Sequence, residues 1–409
     1  MGIQSKGRNH AATTMLALTL ALALGASTAR AAIAYETKDG WTIGTDGWVN
    51  AFVVSESGDK KPDGVAADLF TRNTDQSLFR MRTGFLPALI GFTLAAPQWE
   101  GLKVKARVGF YPQINNGNTR TSINPNIDTR EFNFTIEGGF GQVLLGRALN
   151  VYQQKNILTD MSLFGVGVPG TSPATGTFPT LGHIGFGYLY TSFGAQIRYT
   201  TPDLGGLKIM ASAADPSAIG SATITKMPTL EAEASYAGKS GSVSYQAWLG
   251  GLYQQASIDG STPRDVTASG GSAGVGVGFA GLDLVASGFA GSGIGSAALL
   301  DGDSLDAAGK ERSTLGFLGQ LTYTLGKTKL GVSYGRTMVK ETEQDKLERT
   351  DPVAPLAHLD NRSAITGGVY HDLTPWLKVG AEFTHAELVY FGGAKQATNI
   401  GSVGSFFFW

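Results

Sequence analysis

EFNFTIEGGFGQVLLGR, residues 131–147, decides how the rest of the chain reads. Phe132, Phe134 and Ile136 alternate with Glu131, Asn133, Thr135 and Glu137, the two-residue period of a strand with one apolar and one polar face. Gly138, Gly139 and Gly141 break the pattern at a tight turn, and residues 142–148 read as the returning strand of a β-hairpin. The segment after it, 150–188, is rich in Gly, Pro, Thr and Ser and loses the alternation. A connection of that length is functional or disordered. The expectation is a loop folded into the interior of a large barrel.

The same pattern recurs along the chain. Val104, Ala106, Val108 and Phe110 oppose Lys103, Lys105, Arg107 and Tyr111. Residues 77–96 read as one long β segment, with Phe79, Met81, Thr83 and Phe85 set against Arg80, Arg82 and Gly84. Further strands read at 41–53, 195–201, 207–213, 230–236, 243–249, 272–279, 282–291, 315–325, 330–334, 362–373, 376–388 and 399–409. Tight Gly turns alternate with long polar loops, and the count comes to about sixteen strands. The 57 Gly against 15 Pro suit such a chain better than a helical bundle. There is no Cys, which excludes disulfides and thiol chemistry.

Alternation alone does not separate a soluble sandwich from a membrane barrel; the two ends do. Lys6 and Arg8 precede a short apolar run at 15–24, and Ala29-Arg30-Ala31 offers a small-x-small cleavage site. This reads as a signal peptide over 1–31, with cleavage after Ala34 as the other possibility and an N-terminal anchor helix as the competing reading. Removing it takes Lys6, Arg8 and Arg30 and no acid, so the formal charge moves from −1 to −4. That balance gives no support for nucleic-acid binding. At the other end stand Phe406, Phe407, Phe408 and Trp409, which suit a paired strand at an aromatic girdle better than a frayed tail. Trp41, Trp48, Trp376 and Trp409 are expected in such girdles. The fold class is therefore all-β: a transmembrane antiparallel β-barrel over 32–409, in outer-membrane lipid, with the constriction loop 150–188 in its lumen.

Two stretches resemble the Gram-negative general porins, the trimeric sixteen-stranded family. Gly139 to Arg147 resembles that family's strand ending in Leu-Gly-Arg before an inward-folded third loop. Ile197-Arg198-Tyr199-Thr200-Thr201-Pro202-Asp203-Leu204-Gly205-Gly206-Leu207 resembles the hairpin that follows it. The terminal aromatic, here Trp409, resembles the signal read by the outer-membrane assembly machinery. The resemblance implies a homotrimer passing ions and small hydrophilic solutes by passive diffusion, without cofactor. The loop departs from the family pattern: it lacks Pro-Glu-Phe-Gly-Gly, and Asp160 is its one acid.

The charges assigned to the lumen are Arg80, Arg82, Lys103, Lys105, Arg107, Arg147, Arg198 and Lys208, with Asp160 facing them from the loop. A basic wall in a narrow pore favours anions. The competing reading pairs these cations with Glu131, Glu137, Glu231 and Glu233. For Asp160 it is a turn or cap, and for Phe164 and Phe178 a role in tucking the loop against the wall. A substrate-selective channel for organic or aromatic anions is the first functional alternative; a barrel enzyme or adhesin is the second. His183, His358, His371 and His385 lie in no metalloprotease or nucleophile-elbow context, so no catalytic or metal-binding residue is named. Asp301 to Asp306 lacks the spacing of a calcium loop and reads as solvated.

Overall fold

The computed structural model describes residues 33–115, 127–170, 179–260 and 264–409. The expected signal peptide at 1–31 and Phe178 lie outside these residues.

Among the described residues nineteen strands form one antiparallel sheet. They are β1 (Ile33–Glu36), β2 (Thr42–Gly58), β3 (Gln76–Arg82), β4 (Leu89–Ala95), β5 (Lys103–Pro112), β6 (Ile127–Gly138), β7 (Gly141–Leu149), β8 (Phe193–Thr200), β9 (Leu207–Ala214) and β10 (Ile224–Thr225). After them come β11 (Thr229–Ser240), β12 (Val243–Ile258), β13 (Arg264–Phe279), β14 (Leu282–Ser292), β15 (Ser313–Leu325), β16 (Thr328–Val339), β17 (Leu359–Thr374), β18 (Leu377–Tyr390) and β19 (Lys395–Phe408). β3 and β4 both pair with β2 and are two halves of one strand. With β1 and β10 set aside as short additions, sixteen strands make the ring. β19 pairs with β2, from Thr398↔Gly58 to Phe408↔Trp48, and closes the ring.

Parity along each strand sorts the side chains. On β2, Val49, Ala51 and Val53 face out, while Trp48, Asn50, Phe52, Val54 and Glu56 are buried inside. Trp48 is thus not a girdle residue. Its indole donates to the Pro87 carbonyl at 2.7 Å, and its ring lies 6.4 Å from that of Phe408. Trp376 and Trp409 instead flank Phe407, at 6.1 Å each.

The strand over 77–96 is interrupted between Arg82 and Leu89. Phe79 and Met81 face out, 68% and 66% exposed, but Thr83 and Phe85 are buried in the lumen. The Thr83 amide donates to Asn115 Oδ1 at 2.7 Å, and those of Phe85 and Leu86 donate to Gly165 and Leu163 carbonyls at 2.8 and 3.2 Å. The inner loop thus draws the chain out of the sheet where Gly84 and Pro87 weaken the ladder. The charged stretch 340–360 also holds a short helix at Glu343–Arg349, capped reciprocally by Thr342 and Asp345.

Candidate functional site: a lumen narrowed by the inner loop

The connection from β7 to β8 turns inward at once. Glu231 Oε2 on β11 accepts from the Val151 and Tyr152 amides at 2.6 and 3.1 Å. A short helix, α1 (Gln154–Thr159), follows, and Trp248 Nε1 of β12 donates to its Asn156 Oδ1 at 2.8 Å. Gln320 of β15 clamps the helix end, accepting from Met161 N at 2.9 Å and donating to the Thr159 carbonyl at 2.5 Å. Glu382 Oε2 of β18 accepts from Val166 N and Gly167 N at 2.7 and 2.8 Å. Gly187 N donates to Thr337 Oγ1 of β16 at 3.0 Å. Wall side chains thus satisfy the orphan amides of an irregular segment, as burial demands.

Close approach to the wall needs glycine in the wall. A Cβ on Gly335 would stand 1.7 Å from the Phe186 carbonyl oxygen, and one on Gly331 would stand 2.7 Å from Met161 Sδ; Gly274 of β13 in turn leaves room for the Trp248 ring, 2.1 Å from where its Cβ would be. Two apolar clusters fill the space behind the loop. One joins Phe52, Phe70, Phe85, Leu163, Phe186 and Leu388; the other joins Tyr152, Leu189, Ile219, Leu252, Phe289 and Ile294. Phe164 packs on Phe406 and Phe408 at 5.6 and 6.2 Å and fastens the loop to the wall.

Asp160 does not face a basic wall. It is buried inside the loop, accepting from Ser162 N at 2.9 Å, Ser162 Oγ at 2.7 Å, His183 N at 3.1 Å and Tyr188 Oη at 2.5 Å. His183 Nδ1 lies 3.4 Å from its Oδ1. Burial alone would push the Asp160 carboxyl up, but the His183 charge and the bonds from His183, Tyr188 and Ser162 outweigh it and hold it at about 2. His183 Nε2 in turn lies 3.2 Å from Ser333 Oγ and 3.3 Å from Thr366 Oγ1. Ser333, His183 and Asp160 thus stand in the order of a hydrolase triad. All three are closed to solvent, and the arrangement fastens the loop to β16 and β17.

The wall left facing the loop is β5 to β9. Lys103, Lys105 and Arg107 of β5 point inward, as does Arg198 of β8, while Lys208 lies at the foot of β9. Several are paired. Lys103 Nζ is 3.6 Å from Glu137 Oε1, and Lys208 Nζ is 3.7 Å from Asp203 Oδ2. Arg107 holds both Asp46 of β2, with Nη2–Oδ2 at 3.0 Å, and Glu131, with Nε–Oε2 at 3.3 Å. Lys105 has no ion pair among the described residues. Arg198 donates to the Leu149 carbonyl at 3.3 Å at the loop's base. On β3, Arg80 points inward, and Arg82 is buried with Nη1 donating to the Gly170 carbonyl at 3.3 Å.

Arg147 is not in the lumen. It shares the outward face with Phe132 and Ala195, its register partners, because Leu144 and Ala148 take the inward parity of β7. Sequence reasoning also missed Arg130, whose guanidinium sits 5.2 Å from the Tyr111 ring and 5.5 Å from that of Phe193, and which pairs with Asp128 at 2.9 Å. A register shift between Gly109 and Phe110 places it there, and the two-residue period carries no sign of it. Asp46 was legible as an acid at the inward parity of β2. In the Asp301–Asp306 stretch, Asp301 accepts from the amides of Ala297, Ala298 and Asp303 at 2.9, 2.9 and 3.0 Å. Among the described residues no group of three potential ligands is placed to hold a metal.

A closed sixteen-strand barrel with an apolar outer band and a polar lumen narrowed by its own loop is an outer-membrane channel. The family model described as "Gram-negative porin" matches residues 12–388, and the chain belongs to that family. No curated protein matches it by sequence. Among solved structures it is similar to the outer membrane channel DcaP of Acinetobacter baumannii, at 16% identity and TM-score 0.64, over 92% of this chain and 99% of that one. It is also similar to an anion-selective porin from Comamonas acidovorans, at 14% identity and TM-score 0.58, over 90% and 100%. OmpF of Salmonella typhi matches at 12% identity and TM-score 0.55, over 92% and 100%. At these identities the likeness concerns the fold. Family and fold together make the protein a passive-diffusion channel of the outer membrane.

Proposed function

We propose that the channel prefers small hydrophilic anions modestly, works as a homotrimer, and loses residues 1–31 on export. The observation that carries the anion preference is Lys105, an ammonium with no ion pair among the described residues, on the β5–β9 wall beside cations that acids largely neutralise. An uncompensated charge in a narrow aqueous lumen biases ion entry. Arg80, Arg82 and Arg198 support the same field at shorter range, whereas Arg107 and Lys208 add little because Asp46, Glu131 and Asp203 hold them. The reversal potential of a planar bilayer under a salt gradient tests it: a potential of the anion-selective sign is expected, and the cation-selective sign would sink the reading. The homotrimer reading is supported by the family and by a solved neighbour described as a trimer form. Intact mass of the purified protein tests cleavage after Ala31. Recognition of Trp409 by the assembly machinery is tested by truncating it and measuring outer-membrane yield.

A second reading is a substrate-selective channel for organic anions. The extent of loop docking, on walls from β11 round to β18, favours it. Saturable block of the current by a small aromatic carboxylate separates it from a general pore.

A further inference from the structure

Three of the outward-facing positions on β17, β18 and β19 are very small. Gly367, Ala381 and Gly401 floor a groove of about 650 Å³, rimmed by Val369, Phe383 and Val403. Just above it, His385 Nδ1 and Asn399 Oδ1 are 2.8 Å apart on the outer surface. Asn399 lies eight positions along β19 from the girdle residue Phe407. With strands tilted by about 45°, that is roughly 19 Å, inside an apolar band about 25 Å tall. An imidazole and an amide facing lipid at that depth are costly. Small residues beside hydrogen-bonding ones mark protein contacts in membranes.

The shape that fits the groove is on the same molecule. Phe79 and Met81 of β3 project outward, largely exposed. Phe79 lies in the hydrogen-bond row of Ser55, Gly401, Phe383 and Gly367, and Met81 in that of Val53, Val403, Ala381 and Val369. They stand beside the groove and cannot enter it within one chain.

We propose that the groove of one copy receives Phe79 and Met81 of the next, and that this head-to-tail contact closes after three copies. Ring symmetry supports it. In a threefold ring the two contact faces of each subunit are about 60° apart, and a sixteen-strand barrel turns by about 22° per strand, so the faces lie between two and three strands apart. The groove centres between β18 and β19, and β3 lies two to three ring positions further on. The inference rests on the trimer reading above.

The chain has no Cys, so introduced thiols report cleanly. Within one copy positions 79 and 401 lie on either side of β2, about 10 Å apart and beyond disulfide reach. Phe79→Cys and Gly401→Cys proteins, prepared separately, are mixed as monomers, reassembled and oxidised. The expected result is a covalent dimer only in the mixture. Gly401→Trp, which fills the groove, is expected to convert trimer to monomer by native mass spectrometry while β-sheet circular dichroism is kept; Ala273→Trp on the outward face of β13 is expected to leave the trimer whole. A trimeric wild type with no mixed disulfide and a trimeric Gly401→Trp overturns the inference alone. Loss of a bound lipid from a trimeric Gly401→Trp assigns the groove to lipid and also overturns it. A monomeric wild type overturns the trimer reading itself.

Discussion

Arg107 of β5 reaches across β4 to hold Asp46 of β2, with Nη2 at 3.0 Å from Oδ2. Gly91 makes this possible, because a Cβ there would stand 2.4 Å from Nη2. The same guanidinium also holds Glu131. The most central cation of the expected basic ladder is therefore matched by two carboxylates, and selectivity depends on what is left over.

Asp46→Asn should release part of the Arg107 charge to the lumen. A unit charge acts on an ion about 8 Å away in water with about 0.5 kcal/mol, roughly a twofold change in permeability ratio. The reversal potential should move by that much toward anions, and Lys105→Gln should move it back by a similar amount. The shifts should shrink at high salt. No movement in either variant would place the ion path away from the β5 wall.

Gly335→Val should open the pore. The added side chain collides with the Phe186 carbonyl oxygen, and backbone cannot yield as a flexible side chain does. The loop must leave β16, breaking the Gly187 to Thr337 bond. Single-channel conductance should rise and become noisy, while the barrel stays heat-stable because the strand ladder is untouched. Unchanged conductance would show that the loop can shift along the wall without widening the path.

Glu382→Ala tests the same docking from the other side of the loop. It removes the acceptor of the Val166 and Gly167 amides and leaves them buried without a partner, at about 1–3 kcal/mol each. Hydrogen exchange at 163–168 should quicken strongly, with little change at α1, which Glu231, Trp248 and Gln320 still hold. Uniform protection across the loop would deny Glu382 this role.

The barrel was legible because its signal is repeated: each strand carries the same two-residue period, and the hairpin at 131–147 falls where the glycines end it. The faces were legible for Lys103, Lys105 and Arg107 for the same reason. Arg147 broke the reading because the glycine turn before it does not fix which parity of β7 points inward, and neighbours on β6 and β8 decide that. Asp160 was misplaced for a different reason. Its partners, His183 and Tyr188, lie far along a loop with no period, and only the folded path brings them to it. The inward glycines of β13 did leave a trace, as Gly274, Gly276 and Gly278 at every second position of the strand, which turns alone do not explain.

The Asp160 cluster predicts how acid acts on the channel. Its carboxyl is held at about 2 in the folded loop, below the ordinary 3.8. A depressed carboxylate contributes stability that is present above 3.8 and is lost as pH falls from there through about 2. The contribution is about 2 kcal/mol, from the difference between those two values. Loop docking should therefore be insensitive to Asp160 protonation from pH 7 down to pH 4, then weaken by pH 2 to 3. Asp160→Asn keeps the shape but loses the charge that faces His183, and should show an open, noisy channel already at pH 7. Its residual acid response between pH 4 and 2 should be flatter than that of the wild type. An identical acid transition in the two proteins would assign it to other carboxylates of the lumen and leave Asp160 a plain loop cap.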